Sequence, residues 1–232
     1  MAAMRAASAL RTVLVGLLAA ALPAAGLAAP FVTGVGNERI VLQALPGFAD
    51  TGFLASPRLQ ELAESTTSAS NRVLLFAITD ADLRRFMVGD RYELRRYMLV
   101  VTPKGTERDR MNEAQFSVLA ENAVRDLAVP APGIDAQKPP EAQPEGKAML
   151  LAVPRRGPGL VSILQGTRLV FPGAGLFGRP RSALVLSATA LLHLRGKVLQ
   201  LTMHSGYDTP EDLAWITSVT ERWIEDLQRL NR

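Results

Sequence analysis

Cysteine is absent from this chain of 232 residues. Without a thiol the chain forms no disulfide bond, no thiolate metal site and no cysteine nucleophile. Histidine is nearly absent, with only His193 and His204. The H-E-x-x-H, G-x-S-x-G and G-x-x-x-x-G-K-[ST] patterns are also missing, and they are the signatures of zinc peptidases, α/β-hydrolases and P-loop proteins. The sequence therefore predicts no cofactor and no metal site.

Lysine is scarce too, and only four of the 26 basic residues are lysine. Arginine, alanine, glycine and proline share GC-rich codons, so a GC-rich bacterial genome explains this bias better than selection for arginine. Residues 1–28 hold two of the basic residues and none of the 22 acidic ones, which leaves a net charge of +2 on the remainder. A nearly neutral chain lacks the electrostatic footprint of nucleic-acid binding, and we predict no nucleic-acid partner.

The first thirty residues have the three parts of a secretory signal peptide. Arg5 and Arg11 precede an uncharged run from Thr12 to Pro30, and small residues stand near its end. A positive segment, a short apolar segment and small residues at the cleavage site are what export requires. Gly26 and Ala28 supply the small residues, so we predict cleavage after Ala28 and a periplasmic location.

An uncleaved membrane anchor is the alternative interpretation of this segment. Leu14 to Ala28 is only a little short of the ~20 apolar residues that span a bilayer. No cysteine follows it, which excludes a lipid anchor. For the mature chain, residues 29–232, we predict one globular domain without a transmembrane span.

The first half of the mature chain alternates strand and helix patterns. The predicted strands are 39–45, 73–78 and 97–101, and the predicted helices are 57–64, 79–89 and 113–127. Ser56-Pro57 is typical of a helix start. Residues 128–147 contain five prolines and few bulky apolar side chains, so we expect a mobile surface loop there.

The second half changes to consecutive strands at 149–153, 160–171, 183–194 and 198–205. A two-residue turn at Arg195-Gly196 sets the register of the last pair. It places Leu192 opposite Leu199, Ala190 opposite Leu201 and Ala188 opposite Met203 on an apolar face. Leu191–Gln200, Thr189–Thr202 and Ser187–His204 then share a mixed face. A long helix follows Thr209-Pro210, and its apolar stripe should pack on the sheet.

These patterns predict an α+β fold, with a mostly antiparallel sheet of about six strands flanked by helices and a long C-terminal helix packed on it. A mixed sheet is the alternative.

His204, Ser205 and Asp208 form the chemically best equipped stretch, at a strand end before a capped helix. In the catalytic interpretation His204 is the base, Ser205 is the nucleophile, and the N–H groups at the helix start face an anion. However, neighbouring residues on a strand point to opposite faces, so His204 should not reach Ser205. The alternative is a turn that serves geometry and capping. Asp80 and Asp82 could hold a cation, but two acids at a helix start also favour its dipole.

Three segments carry a resemblance to a group of exported bacterial proteins: LPGFAD at 45–50, NRVLLFAITDADL at 71–83 and YDTPEDLAWITSVTERWIEDLQRLN at 207–231. The architecture resembles the PsbP-like α/β/α sandwich. That resemblance implies a non-catalytic accessory or docking protein, with an envelope protein as partner. Two other hypotheses remain: a hydrolase using the region around His204, and a carrier of a small apolar ligand.

Overall fold

Seven strands form one antiparallel sheet in the computed structural model, which describes residues 29–128, 142–171 and 181–232. The strands of this sheet are β3 (Phe48–Asp50), β4 (Asn71–Thr79), β5 (Arg96–Pro103), β6 (Ala148–Gly157), β7 (Leu160–Phe171), β8 (Arg181–Leu194) and β9 (Lys197–Tyr207). Their order is β3-β4-β5-β9-β8-β7-β6. A separate two-stranded sheet pairs β1 (Phe31–Val35) with β2 (Glu38–Leu42).

Four α-helices accompany the sheets in the described residues: α1 (Pro57–Ser65), α2 (Asp80–Met87), α3 (Glu113–Ala128) and α4 (Pro210–Leu230). The α+β class, the antiparallel sheet and the C-terminal helix packed on it confirm the prediction. The sheet has seven strands rather than about six because the three-residue β3 joins its edge.

The β8–β9 hairpin has the predicted register. Arg195 and Gly196 both have positive φ, 52° and 79°, as a two-residue type I′ turn requires. Ala190 faces Leu201 and Ser187 faces His204. A slip of one residue would turn the apolar side chains of one strand to the other face of the sheet. The alternation of apolar and polar residues therefore determines the register of β8 and β9.

Helix α4 and the β1–β2 hairpin cover one face of the sheet, which we call the α4 face. Ile216, Trp223 and Leu227 of α4 are fully buried there. They contact a core that includes Leu199 and Leu201 of β9. This face forms the larger part of the hydrophobic core.

The opposite face is covered by two separate groups of helices. Helices α1 and α2 pack on β4 and β5, where Leu59 meets Phe76 and Ile78. Helix α3 packs on the same face but over β7 and β8, where Phe116 meets Val161. The middle strands β8 and β9 lie between these two groups.

Two predicted segments fall outside the described residues: the signal peptide at 1–28, and residues 129–141 of the proline-rich loop at 128–147. Among the described residues, no helix combines the length and apolar character needed to cross a membrane.

Candidate functional site

A cleft of about 630 Å³ lies between α1 and β4, and we call it the α1/β4 cleft. Its volume falls within the roughly 300–1,000 Å³ typical of ligand sites. One wall is a helix face carrying Gln60, Ala63 and Glu64, which follow the three- and four-residue spacing of one side of a helix. The other wall is residues 71–76 of β4. The cleft is thus built from a helix side and a strand edge.

The sequence ends β3 early and so leaves this strand edge open. Asp50 accepts a hydrogen bond from the Gly52 amide at 3.0 Å through Oδ1, an Asx-turn that directs the chain away from the sheet. Thr51 is the last residue to reach β4, and both its amide and its hydroxyl donate to the Phe76 carbonyl at 2.9 Å. In the described part of the chain, residues 71–75 therefore have no strand neighbour on that side.

Opposite charges stand at the two ends of this open edge. Asp50 lies opposite Ala77 of β4, and Lys104 follows Pro103, which lies opposite Asn71. Extended chain from 71 to 77 spans about 20 Å at ~3.3 Å per residue. Neither Asp50 nor Lys104 has an ion-pair partner among the described residues, and the Lys104 ammonium donates to the Ala69 carbonyl at 2.8 Å.

The electrostatic environment of Asp50 favours a cationic ligand group. Burial raises the pKa of its carboxyl, and the hydrogen bond from the Gly52 amide offsets part of that rise. A nearby positive charge would stabilise the ionised form. The cleft holds two further charged side chains: Arg72 pairs with Glu107 at 2.8 Å, and the Glu64 carboxylate accepts a hydrogen bond from the Gln60 side-chain amide at 3.0 Å.

A second polar surface runs along β8 and β9 between the two helix groups, and we call it the His204 strip. Its members are the side chains that the register places on the mixed face: Ser187, Thr189, Gln200, Thr202 and His204. The Ser187 hydroxyl and His204 Nδ1 are 2.9 Å apart. The His204 ring also stacks on Tyr97, with 4.4 Å between ring centroids.

The chemistry available to His204 is limited by its burial. Burial lowers the pKa of His204 to about 4 and raises the pKa of Tyr97 to about 12, so both are neutral at pH 7. Ser187 and His204 have the contact expected of a nucleophile and its base. An imidazole of such low pKa is a weak base, however, and no described carboxylate touches the ring.

The predicted trio of His204, Ser205 and Asp208 is not brought together. Ser205 is completely buried and donates to the Gly206 carbonyl at 3.0 Å. The Asp208 carboxylate forms an ion pair with Arg95. His204 instead contacts Ser187, a partner that the hairpin register had placed opposite it.

Asp212 organises the turn between β9 and α4. It accepts hydrogen bonds from Arg96 at 2.8 Å and from the Asp208 amide at 3.0 Å, and together with Thr209 it forms a capping box. Burial raises the pKa of Asp212, but the hydrogen bonds from the Asp208 amide, Arg96 and the Thr209 amide outweigh it, and the pKa is lowered. Arg96 also lies over the Trp215 ring, 3.8 Å from its centroid. This network fixes a helix start.

Asp80 and Asp82 lie at the start of α2. The Asp82 amide donates to the Thr79 hydroxyl at 3.1 Å, and Asp82 Oδ1 accepts from the Glu93 amide at 3.2 Å. These contacts are those of a helix cap. Within the described ranges, no three histidine, cysteine or acidic side chains are grouped so that they could hold a metal ion.

Sequence reasoning missed the α1/β4 cleft. The Asp50-x-Gly52 turn was a local signal for the end of a strand. The cleft itself depends on α1 lying beside the uncovered part of β4, a tertiary arrangement that no local pattern contains.

Comparisons with known proteins place the chain in no family. No protein-family model matches it, and no curated protein matches it. Among solved structures, the Saccharomyces cerevisiae Ran-binding protein Mog1p, determined at 1.9 Å resolution, aligns with a TM-score of 0.37 and 11% identity over 88% of this chain and 93% of Mog1p. A likeness of this degree carries no argument about function, and the PsbP-like resemblance stays a prediction.

Proposed function

We propose that the chain is an exported protein of the bacterial envelope that acts by binding a partner, and that the α1/β4 cleft is its binding site. The observation that carries this proposal is an open cleft of about 630 Å³ along a strand edge. Its two end charges, Asp50 and Lys104, lack ion-pair partners among the described residues. Opposite charges at the ends of a strand edge that has no neighbouring strand are suited to recognition, because a ligand can contact both.

Support for export comes from the first thirty residues. Arg5 and Arg11, the uncharged run and the small residues Gly26 and Ala28 form the pattern of a cleaved signal. A fusion of residues 1–35 to a reporter active only in the periplasm should be active. A reporter that stays in the cytoplasm would contradict export.

Crosslinking from a single engineered cysteine tests directly where the partner binds, because the chain has no cysteine of its own. Ser68→Cys places a thiol at the end of the cleft, and Ser218→Cys places one on the exposed side of α4. With a photo-crosslinker on each thiol, a discrete adduct in the envelope fraction should form from the cleft position alone. Equal adducts from both positions, or none, would contradict binding at the cleft.

A hydrolase using Ser187 and His204 is the second candidate, favoured by their 2.9 Å contact. The low pKa of His204, about 4, argues against it. If the pair were catalytic, purified protein would hydrolyse p-nitrophenyl acetate, and Ser187→Ala would abolish the activity while Thr189→Ala kept it. We expect no difference between these variants.

The apolar-carrier hypothesis requires an enclosed cavity of about 300 Å³ between sheet and helix. In the described structure that interface is occupied by side chains with no solvent exposure, including Ile216, Trp223 and Leu227 of α4. The filled interface favours the binding proposal over an internal carrier site.

A further inference from the structure

We infer that the α1/β4 cleft takes an extended peptide segment of the partner, which adds as a strand antiparallel to β4 with a basic residue at its amino end and an acidic group at its carboxyl end. This inference rests on the proposed function and specifies the chemistry of the partner. Strand addition to an exposed sheet edge is a common mode of peptide recognition, in which main-chain hydrogen bonds supply affinity.

The length of the open edge sets the length of the peptide. β3 pairs with β4 only from Ala77 to Thr79, and Thr51 occupies the position beside Phe76. The remaining edge, residues 71–75, continues the line of β3 along the cleft. It accommodates about five residues of extended chain, about 17 Å long. A β-bulge between Val73 and Leu75 divides the edge into two short stretches of ladder.

The other free edge of the sheet is less suited to strand addition. β6 has no described strand beyond it, but it contains Pro154 and two register irregularities, at Leu150/Ala152 and Ala152/Arg155. Proline and repeated irregularities are devices that protect a sheet edge from pairing. β4 contains no proline.

Asp50 and Lys104, the charges at the two ends of the edge, determine the direction of the peptide. β4 runs from its Lys104 end at Asn71 to its Asp50 end at Ala77. An antiparallel segment therefore begins beside Asp50 and ends beside Lys104. In this direction a basic first residue meets the Asp50 carboxylate and an acidic last residue meets the Lys104 ammonium group. A parallel segment with the same order of charges would meet like charges at both ends.

Two capped hexapeptides of identical composition test the inference on the full chain. Lys-Thr-Val-Thr-Val-Asp carries the charges in the favoured order, and Asp-Thr-Val-Thr-Val-Lys carries them reversed. NMR titration should show the first peptide binding about tenfold or more tightly, because reversal turns two attractions into two repulsions. A version of the first peptide with alternate N-methylated amides should bind at least as weakly as the reversed peptide, because its ladder donors are lost.

Charge reversal in the protein provides the complementary test. Asp50→Lys combined with Lys104→Glu should invert the preference between the two peptides. The remote pair Asp90→Lys and Lys147→Glu, both exposed, should leave it unchanged. Because Asp50 also shapes the turn at Gly52, Lys104→Glu alone is the second variant and should remove most of the preference.

The inference would be overturned if neither peptide bound at millimolar concentration, if both bound equally, or if Lys104→Glu left the preference intact. The outcome is separable from that of the proposed function. If the crosslink forms only at the cleft but neither peptide binds, the cleft remains the binding site and strand addition is wrong. If neither the crosslink nor peptide binding is observed, the cleft is not the binding site.

Discussion

Single buried side chains hold distant segments of this fold together, and Lys197 is the strongest case. It is only 2% exposed, and its ammonium donates to the carbonyls of Glu107, Arg108 and Asp109 at 3.1, 3.2 and 2.8 Å. An ammonium has three donors, so all are used. Gly36 fits beside it, since a Cβ there would lie 2.4 Å from the Glu107 carbonyl oxygen.

Lys197→Met should lower the free energy of unfolding by about 2–4 kcal/mol, because three carbonyls lose charged donors in a buried place. Urea unfolding followed by circular dichroism measures the change. Lys147→Met, at an exposed position, should change the free energy by less than about 0.5 kcal/mol. Equal effects of the two substitutions would show that the buried ammonium contributes nothing.

His204 should make the fold sensitive to acid between pH 6.5 and pH 4. Its pKa falls from 6.5 to about 4 on burial, so in this range the unfolded chain binds a proton that the folded chain rejects. Stability is therefore lost as the pH falls from 6.5 to 4, by up to about 3 kcal/mol at ~1.4 kcal/mol per pH unit.

The measurement is the free energy of unfolding against pH for the wild type and His204→Gln. The difference between the two curves isolates His204 from the acidic residues. His193→Gln leaves the His204 imidazole in place and should keep the wild-type slope. A His204→Gln curve parallel to the wild type from pH 6.5 to 4 would disprove the assignment.

At this scale the sequence supported the contact of His204 with Ser187, because the turn at Arg195-Gly196 and the alternation of faces together specify the register. Lys197 could not be predicted in this way. Lysine is normally exposed, and its three partner carbonyls come from residues 107–109, about ninety positions earlier.

Two side chains near the C-terminus join α4 to the β1–β2 hairpin. The Asn231 side chain accepts from the Val41 amide and donates to the Val41 carbonyl, both at 2.8 Å, so it replaces a neighbouring strand. The Trp223 indole donates to the Gln43 carbonyl at 2.9 Å. The end of the helix thereby attaches the β1–β2 hairpin to the rest of the core.

Asn231→Ala should destabilise the fold by about 1–3 kcal/mol, because the Val41 amide and carbonyl lose their partners. Asn122→Ala, on the exposed side of α3, is the matched control and should cost less than about 0.5 kcal/mol. Thermal unfolding compares the two variants. A midpoint for Asn231→Ala equal to that of the control would mean that the hairpin is held by apolar contacts alone.

Predictability of the elements followed their length and their patterning. β7 was predicted at its observed bounds, because glycine- and proline-rich segments stand on both sides of a run rich in Leu, Val and Ile. β1 and β3 were not predicted, since β3 has three residues and β1 has only five, one of which is Gly34. Leu213 has the spacing of the apolar stripe of α4 but is 36% exposed, and the buried part of the stripe begins at Ile216.

At the scale of the whole molecule, the sheet is covered unequally, and this inequality creates the candidate site. The α4 face is closed by one long helix and a hairpin. The opposite face is covered by two separate groups, α1 and α2 at one end and α3 at the other. Such a division leaves the His204 strip in the middle and the α1/β4 cleft at one margin. The hairpin register predicted which side chains share the His204 strip, but the positions of the strip and the cleft between the helices could not be predicted, because they depend on where the helices stop relative to the strands.

Hydrogen exchange of the full chain with and without Lys-Thr-Val-Thr-Val-Asp tests the central claim, that an extended peptide adds to β4 in the α1/β4 cleft, most directly. We predict that the peptide slows exchange of backbone amides in residues 71–75 and on the facing side of α1, and that the charge-reversed peptide at the same concentration does not. Slowed exchange confined to β6 or to the His204 strip, or exchange unchanged throughout the described residues, would contradict the claim.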